Sequence, residues 1–267
     1  MSPVRLRLIG LTMSIASLAI VGGAILLGSQ AVSAAPTTFH VAPGGACGGA
    51  PNCYGTIQAA VDAAADGDTV KVAEGTYTST GSEVVYIDSA ITLIGGYAIT
   101  DWDQSDPEAR PTIIDAEDAY RRGVYIDGTG VPTITLGALI VQNAKREDQN
   151  GAGIYVENAK LLLQDNVVRY NANTEGAGGG GLYARDCTMI LTGNKFHENN
   201  AAGGGGLRVE GSSQATISGN QVLSNAAFFN GGLSLGGSTV ATVRDNIFRD
   251  NFGGENGGIG VGGTAFV

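Results

Sequence analysis

A short sequence unit returns every 25 to 28 residues in the second half of this chain, and no other feature restricts the fold as strongly. In each copy a glycine is followed by an apolar residue, a variable residue and a second apolar residue. Copies lie at 153–156, 181–184, 206–209, 232–235 and 258–261, with looser copies at 123–126 and 84–87. A second unit, in which an apolar residue precedes an asparagine by three positions, recurs in phase at 168–171, 196–199, 222–225 and 248–251.

These units predict short β-strands that stack on one another. Each repeat contains short segments of alternating apolar and polar residues, separated by glycine and asparagine, and none is long enough for an extended helix. A strand this short cannot bury one face alone, so each strand must pair in parallel with its counterpart one repeat away. The sequence therefore predicts an all-β solenoid, a parallel β-helix.

The repeat also predicts which side chains stack. The two expected core columns are Ile154, Leu182, Leu207, Leu233 and Ile259, and Val168, Phe196, Val222 and Phe248. A third column contains Asn171, Asn199, Asn225 and Asn251. Stacked amides about 4.8 Å apart can hydrogen-bond along such a column; metal binding by these amides is the alternative. The glycine runs fit the corners, where the backbone turns sharply or takes a positive φ.

Composition and charge exclude other classes of protein. The chain has 43 glycines among 267 residues, but they cluster in runs such as 178–181 and do not occupy every third position as in collagen. The formal net charge is -10 and there is no basic cluster, which argues against a nucleic-acid partner.

Residues 1–34 are typical of a signal peptide. Two arginines precede an apolar run over 8–27, and the Val-Ser-Ala sequence at 32–34 suits signal peptidase. The alternative is an uncleaved membrane anchor, because about 20 apolar residues can span a bilayer. We therefore expect a secreted or cell-surface protein with an amino-terminal segment at 35–55 and the β-helix at 56–267.

The three cysteines are compatible with export, because disulfides persist outside the cytosol. Cys47 and Cys53 lie in a Gly- and Pro-rich segment, where we predict a small disulfide loop. Cys187 lies in an apolar strand and is predicted to be a buried free thiol.

A short capping helix is predicted over 56–65, because Ile57, Ala60, Val61 and Ala64 share one helical face. This helix, the Asp-Gly-Asp turn at 66–68 and the Glu-Gly-Thr-Tyr sequence at 74–77 resemble the amino-terminal cap of bacterial pectin-lyase-like right-handed β-helix proteins. The later alternation of Phe-x-x-Asn with Gly-Gly-apolar resembles the repeats of chlamydial polymorphic outer-membrane proteins, although Val replaces Phe in two of the four copies. The resemblances cover nearly all of 56–263 and imply a right-handed β-helix. They imply no single activity, because the superfamily includes lyases, hydrolases, esterases and adhesins.

The variable positions of the first unit point outward and form two columns on one sheet. The first column is Tyr86, Tyr125, Tyr155, Tyr183, Arg208, Ser234 and Gly260; the second is Asp88, Asp127, Glu157, Arg185, Glu210, Gly236 and Gly262. Two interpretations stay open. Either the tyrosines only stabilise neighbouring strands, or the face is a glycan groove. In the second case the ligand-binding residues are Tyr86, Tyr125, Tyr155, Tyr183, Asp127, Glu157 and Glu210.

A polysaccharide-cleaving enzyme is the competing function. Lyases with this fold often hold Ca²⁺ with outward acids and use a basic residue as the base. By that resemblance Asp127 and Glu157 would bind Ca²⁺, and Arg185 or Arg208 would be the base. Glycoside hydrolysis is also open, because carboxylates one or two turns apart lie at about 5 or about 10 Å, which brackets the separations found in glycosidases. The binding interpretation requires no cofactor.

Two features bear on partners. Phe228 and Phe229 occupy a corner, where they either contact a partner or pack inward. The chain stops at Val267, in or just after a strand, which predicts a truncated array or end-to-end self-association. A membrane would be contacted only through an uncleaved leader or a further carboxy-terminal module. We expect a binding or adhesion module for a polysaccharide or cell-surface glycan; an acidic-polysaccharide lyase or hydrolase and a ligand-free structural repeat are the alternatives.

Overall fold

The repeats fold into strands that wind into a solenoid. The computed structural model describes residues 35–173 and 175–264, and its strands form four sheets, which we name A to D. One turn runs from Ile154–Glu157 in sheet C to Lys160–Gln164 in sheet A, Val167–Arg169 in sheet B and Ala172–Asn173 in sheet D. The predicted leader at 1–34 and the last residues, 265–267, lie outside the described residues.

The strands of each sheet come from successive turns. In spatial order, sheet A contains Cys53–Tyr54, Thr38–Val41, Thr69–Ala73, Thr92–Tyr97, Thr133–Gly137, Lys160–Gln164, Thr188–Thr192, Gln214–Ser218 and Val240–Arg244. Sheet B contains Gly75–Tyr77, Thr112–Asp115, Ile140–Gln142, Val167–Arg169, Lys195–His197, Gln221–Leu223 and Ile247–Arg249. Sheet C contains Glu83–Ile87, Arg122–Asp127, Ile154–Glu157, Leu182–Arg185, Leu207–Glu210, Leu233–Leu235 and Ile259–Val261. Sheet D contains Lys145–Arg146, Ala172–Asn173, Asn200–Ala201, Ala226–Ala227 and Phe252–Gly253.

Neighbouring strands of the sheets are parallel, and the repeats stay in register through the second half of the chain. The predicted core columns are confirmed. Ile154, Leu182, Leu207 and Leu233 pair in sequence and are fully buried, and Val168, Phe196 and Val222 do the same in sheet B. Each such buried side chain contributes about 1.5–3 kcal/mol relative to exposure. Ile259 and Phe248, on the last described turn, are only partly buried.

The predicted asparagine column is a hydrogen-bonded ladder, which we call the first amide ladder. The Nδ2 atom of Asn171 donates to Oδ1 of Asn199 at 3.0 Å, Asn199 donates to Asn225 at 3.0 Å, and Asn225 donates to Asn251 at 2.9 Å. Each Oδ1 also accepts the backbone N–H of the preceding asparagine in the ladder. These side chains therefore satisfy buried backbone donors, as the structural interpretation predicted.

A second amide ladder, not predicted from the sequence, runs beside the first at the corner between sheets A and B. It consists of Asn166, Asn194, Asn220 and Asn246, with successive Nδ2 to Oδ1 distances of 3.1, 3.0 and 3.0 Å. The residue before each ladder asparagine often has a positive φ, as at Asp165 (55°) and Tyr170 (55°).

The glycines before the sheet C strands are needed chiefly for close approach between turns. A Cβ atom on Gly181 would lie 2.5 Å from the carbonyl oxygen of Gly206, and one on Gly153 would lie 2.5 Å from that of Gly181. Neither glycine has a φ in the left-handed region. The prediction that the corners select glycine is confirmed, and at these two positions the reason is the close approach of the next turn's carbonyl oxygen.

The amino-terminal end is covered as predicted. The helix Ile57–Ala63 begins after Thr56, whose hydroxyl accepts the N–H of Ala59 at 3.2 Å. The amide of Gln58 bonds both the N–H (2.7 Å) and the carbonyl (3.1 Å) of Tyr86, so the helix satisfies the backbone of the first sheet C strand. A short 3-10 helix, Pro43–Gly45, precedes it.

The cysteine predictions are confirmed. Cys47 and Cys53 form a disulfide, and Cys187 is a buried free thiol whose pKa burial raises to about 11. The indole N–H of Trp102 donates to the Cys47 carbonyl at 3.2 Å, which ties the long loop around it to the disulfide segment. Among the described residues no helix is long and apolar enough to cross a membrane.

Candidate functional site

The tyrosine column lies on one face of sheet C, with the predicted register. Tyr86, Tyr125, Tyr155 and Tyr183 pair on successive strands, followed by Arg208. Successive ring centroids are 5.2, 5.1 and 5.3 Å apart; the first two contacts are edge-to-face and the third is stacked. These geometries stabilise neighbouring strands, so the column has a structural role.

The four tyrosines are not equally accessible. Tyr86, Tyr125 and Tyr155 are partly exposed, whereas Tyr183 is 1% exposed. The hydroxyl of Tyr183 donates to Glu210 Oε1, and burial followed by this bond raises its pKa. A ligand on this face would therefore contact the first three rings, while Tyr183 positions Glu210.

Glu157 binds two of the exposed tyrosines. The hydroxyl of Tyr125 donates to Oε1 at 2.5 Å, and the hydroxyl of Tyr155 donates to Oε2 at 3.1 Å. The bond to Glu157, with burial, raises the pKa of Tyr125, and burial followed by the Glu157 charge raises that of Tyr155 to about 12. Both phenols are therefore neutral donors at physiological pH, and Glu157 holds their orientation.

Arg122 completes this cluster and was not identified from the sequence. Its guanidinium carbon lies 4.6 Å from the ring centroid of Tyr155 and 5.3 Å from that of Tyr125. Its Nε and Nη2 donate to the carbonyls of Gly151 and Asn150, both at 3.1 Å. The only sequence signal was its position directly before Gly123, at the start of a tyrosine-bearing strand. We call Arg122, Tyr125, Tyr155 and Glu157 the tyrosine–carboxylate cluster.

The two arginines considered as bases are both paired with carboxylates. Arg208 contacts Glu210 through Nε at 2.8 Å and Nη2 at 2.7 Å. Arg185 pairs with Asp186 at 3.3 Å, and electrostatic interactions, first with Tyr183 and then with Asp186 and Glu210, raise its pKa. A base must be deprotonated to accept a proton, so these contacts weaken the lyase interpretation.

Asp127 and Glu157, the predicted Ca²⁺ pair, face each other on adjacent strands of sheet C. Asp127 accepts the N–H of Thr129 at 3.1 Å, and both oxygens of Glu157 already accept phenol hydroxyls. No group of three or more His, Cys, Asp or Glu side chains that could hold a metal occurs in the described part of the chain. Ca²⁺ prefers six to eight oxygen ligands, so this donor set does not fit the ion.

The fold also assembles a cluster on sheet B that sequence reasoning missed. The Nδ1 atom of His197 lies 2.9 Å from Glu198, the ring of Tyr170 lies 5.8 Å from that of His197, and Arg169 lies over Tyr170 at 5.4 Å. Burial lowers the pKa of His197, so its ring is mainly neutral at physiological pH.

Comparison with known families gives one match. The model that describes a right-handed β-helix region matches residues 122–266, more than half of the chain. The chain belongs to the right-handed β-helix family. The right-handed winding implied by the cap and repeats is therefore confirmed. Comparison with curated proteins and with solved structures found no further match.

Proposed function

We propose that this β-helix protein is an exported module that binds neutral glycans on the tyrosine-bearing face of sheet C. The observation that carries the proposal is the tyrosine–carboxylate cluster. It holds two partly exposed tyrosine rings, one carboxylate and one guanidinium in fixed positions on adjacent turns.

The cluster suits a sugar because its polar groups are already oriented. The hydroxyls of Tyr125 and Tyr155 donate to Glu157, which leaves their oxygen lone pairs to accept sugar hydroxyls. The exposed parts of the rings can contact the C–H groups of a pyranose. Side chains held in this way lose little conformational entropy on binding. Strand stability alone does not require this convergence of polar groups on an exposed face.

Charge favours a neutral glycan over a uronate polymer. Asp127, Glu157 and Glu210 lie along the same sheet, and the chain has a net charge of -10. Carboxylates of an acidic polymer would be repelled by this face. The same repulsion, with both candidate bases in ion pairs, is why the lyase alternative receives less support.

Export is part of the proposal. It is supported by the basic and apolar segments of 1–34 and by the Cys47–Cys53 disulfide. Secretion into the medium and retention at the cell surface both fit these features.

The test is a glycan array followed by titration calorimetry with the best neutral oligosaccharide. We expect Tyr125→Ala and Tyr155→Ala each to weaken binding at least about tenfold, since each removes a ring contact and a hydrogen-bonding group. Ser234→Ala is the matched control, because Ser234 occupies the same column on a later turn. Wild-type affinity in both tyrosine variants would refute the proposal, and so would unsaturated products released from a uronate polymer.

A further inference from the structure

A groove opens over sheet D, around the corner from the tyrosine face. Its volume is about 700 Å³. The floor is made of small residues from two adjacent turns, including Ala172, Ala201 and Ala202, and one wall is made by Phe228 and Phe229. A groove of this size falls within the range of small-ligand sites.

The phenylalanine wall is exposed. The side chain of Phe228 is 73% exposed and that of Phe229 is 43% exposed, and their rings meet edge-to-face at 86°. Of the two alternatives for this pair, inward packing is therefore wrong and surface exposure is observed. Paired exposed aromatics cost solubility unless they contact a ligand or partner.

The floor contains an unsatisfied buried polar atom. Asn173 is 5% exposed, and its Nδ2 donates to the carbonyls of Gly178 (2.8 Å) and Gly179 (3.3 Å). These bonds leave Oδ1 as the acceptor, and it has no hydrogen-bond partner among the described residues. An unpaired buried acceptor costs about 1–3 kcal/mol. Asn200, also on the floor, exposes its amide.

Arg208 connects this groove with the tyrosine face. Its Nε and Nη2 contact Glu210, whereas Nη1 lies near Gly178 and Gly203 at the corner. A Cβ atom placed on Gly203 would lie 3.2 Å from Arg208 Nη1 and 4.0 Å from Phe229 Cδ2. The guanidinium and the phenylalanine wall therefore flank the same glycine, and no side chain at Gly203 separates them.

We infer that the sheet D groove is a second subsite for the same glycan. One sugar ring lies against Phe229, its hydroxyls meet the amide of the exposed Asn200, and Arg208 donates to the chain as it passes the glycine corner, while Asn173 lies buried beneath the ring. This inference rests on the proposed function, since Arg208 follows the tyrosine column on sheet C and lies beside the same glycine, Gly203, as Phe229 of the groove. The ligand is accordingly an oligosaccharide of several units, long enough to turn from sheet C to sheet D.

The test compares short and long probes with single-site variants. Calorimetry would use cellobiose and cellohexaose, and laminaribiose and laminarihexaose, with wild type, Phe229→Ala and Tyr125→Ala. Phe252→Ala is the matched control, because Phe252 is 72% exposed on the next turn but does not line the groove. Thermal unfolding of each variant would establish that it is folded.

We expect Phe229→Ala to weaken binding of a hexasaccharide by about tenfold, the scale of one aromatic contact, and to leave the disaccharide unchanged. Tyr125→Ala should weaken both lengths, and Phe252→Ala neither. If Phe229→Ala binds hexasaccharides like wild type while Tyr125→Ala loses them, the second subsite is refuted and the proposed function stands. If wild type binds neither these probes nor any neutral glycan on the array, both are refuted.

Discussion

Replacing Asn199 by Ala tests whether the first amide ladder holds the turns together. The Asn199 side chain is 1% exposed and makes four hydrogen bonds. It accepts the N–H of Asn171 at 3.1 Å and Nδ2 of Asn171 at 3.0 Å. It donates to the Val168 carbonyl at 2.9 Å and to Asn225 Oδ1 at 3.0 Å.

The expected loss in the free energy of unfolding follows from the hydrogen bonds that the substitution removes. The buried N–H of Asn171 loses the side-chain acceptor that this structure gives it, at about 1–3 kcal/mol, and each other lost bond costs about 1 kcal/mol. Asn225 Oδ1 is partly compensated, since it also accepts the backbone N–H of Asn199 at 3.1 Å. We expect Asn199→Ala to lower the free energy of unfolding by about 3–5 kcal/mol.

Chemical denaturation followed by far-UV circular dichroism measures this difference. Asn200→Ala is the control, because Asn200 is adjacent in sequence but exposed, and its side chain makes no hydrogen bond in the ladder. The control should change stability by less than about 0.5 kcal/mol. Equal effects of the two substitutions would show that the ladder does not stabilise the fold, and the reasoning would be refuted.

Three other features give separate predictions. Gly181→Ala should lower the unfolding free energy by about 1–3 kcal/mol, because the new Cβ meets a carbonyl oxygen at 2.5 Å; Gly258→Ala, in the same column with open space around it, should be nearly neutral in denaturant titrations. Cys187 should resist alkylation by iodoacetamide in the folded protein and react once denatured, since its pKa is about 11 and it is buried; rapid labelling of the native state would contradict this. The pKa of Tyr125 is raised in the folded protein. The contribution of this phenol to the free energy of unfolding is therefore complete below pH 10 and is lost as the pH rises through the raised pKa. Glu157→Gln should lower that pKa, and an unchanged ultraviolet titration curve would show that Glu157 is not its cause.

The fold was predictable from the sequence because the repeat period is nearly constant. A step of 26 residues places Leu207 on Leu233, and Asn199 on Asn225, without any knowledge of the corners. The second amide ladder has the same spacing between Asn194 and Asn220 and lies two residues before the same Phe/Val column, but the predicted unit included only the asparagine that follows this column, so the second ladder was missed. The handedness required the resemblance of the cap and repeats, because strand periodicity is the same for either hand.

The candidate site was predictable only in part. Alternation places Tyr125, Tyr155 and Glu157 on one face, but it does not say which hydroxyl reaches which carboxylate. Arg122 was missed because its position over the rings depends on the loop carbonyls of Asn150 and Gly151, which come from the next turn. The sheet D groove likewise depends on corners whose lengths differ between turns.

The amide ladders also give the solenoid aligned side-chain dipoles along its axis. In both ladders each Nδ2-to-Oδ1 bond between successive asparagines runs toward the later turn, so the amide dipoles of Asn171 and Asn199 point the same way and add along the axis. The first ladder has its positive pole at Asn251 and its negative pole at Asn171. The second has its positive pole at Asn246 and its negative pole at Asn166. Any group that stacks on Asn251 must therefore supply an acceptor oxygen. An asparagine in the same rotamer would supply it and would leave the neighbouring backbone unchanged.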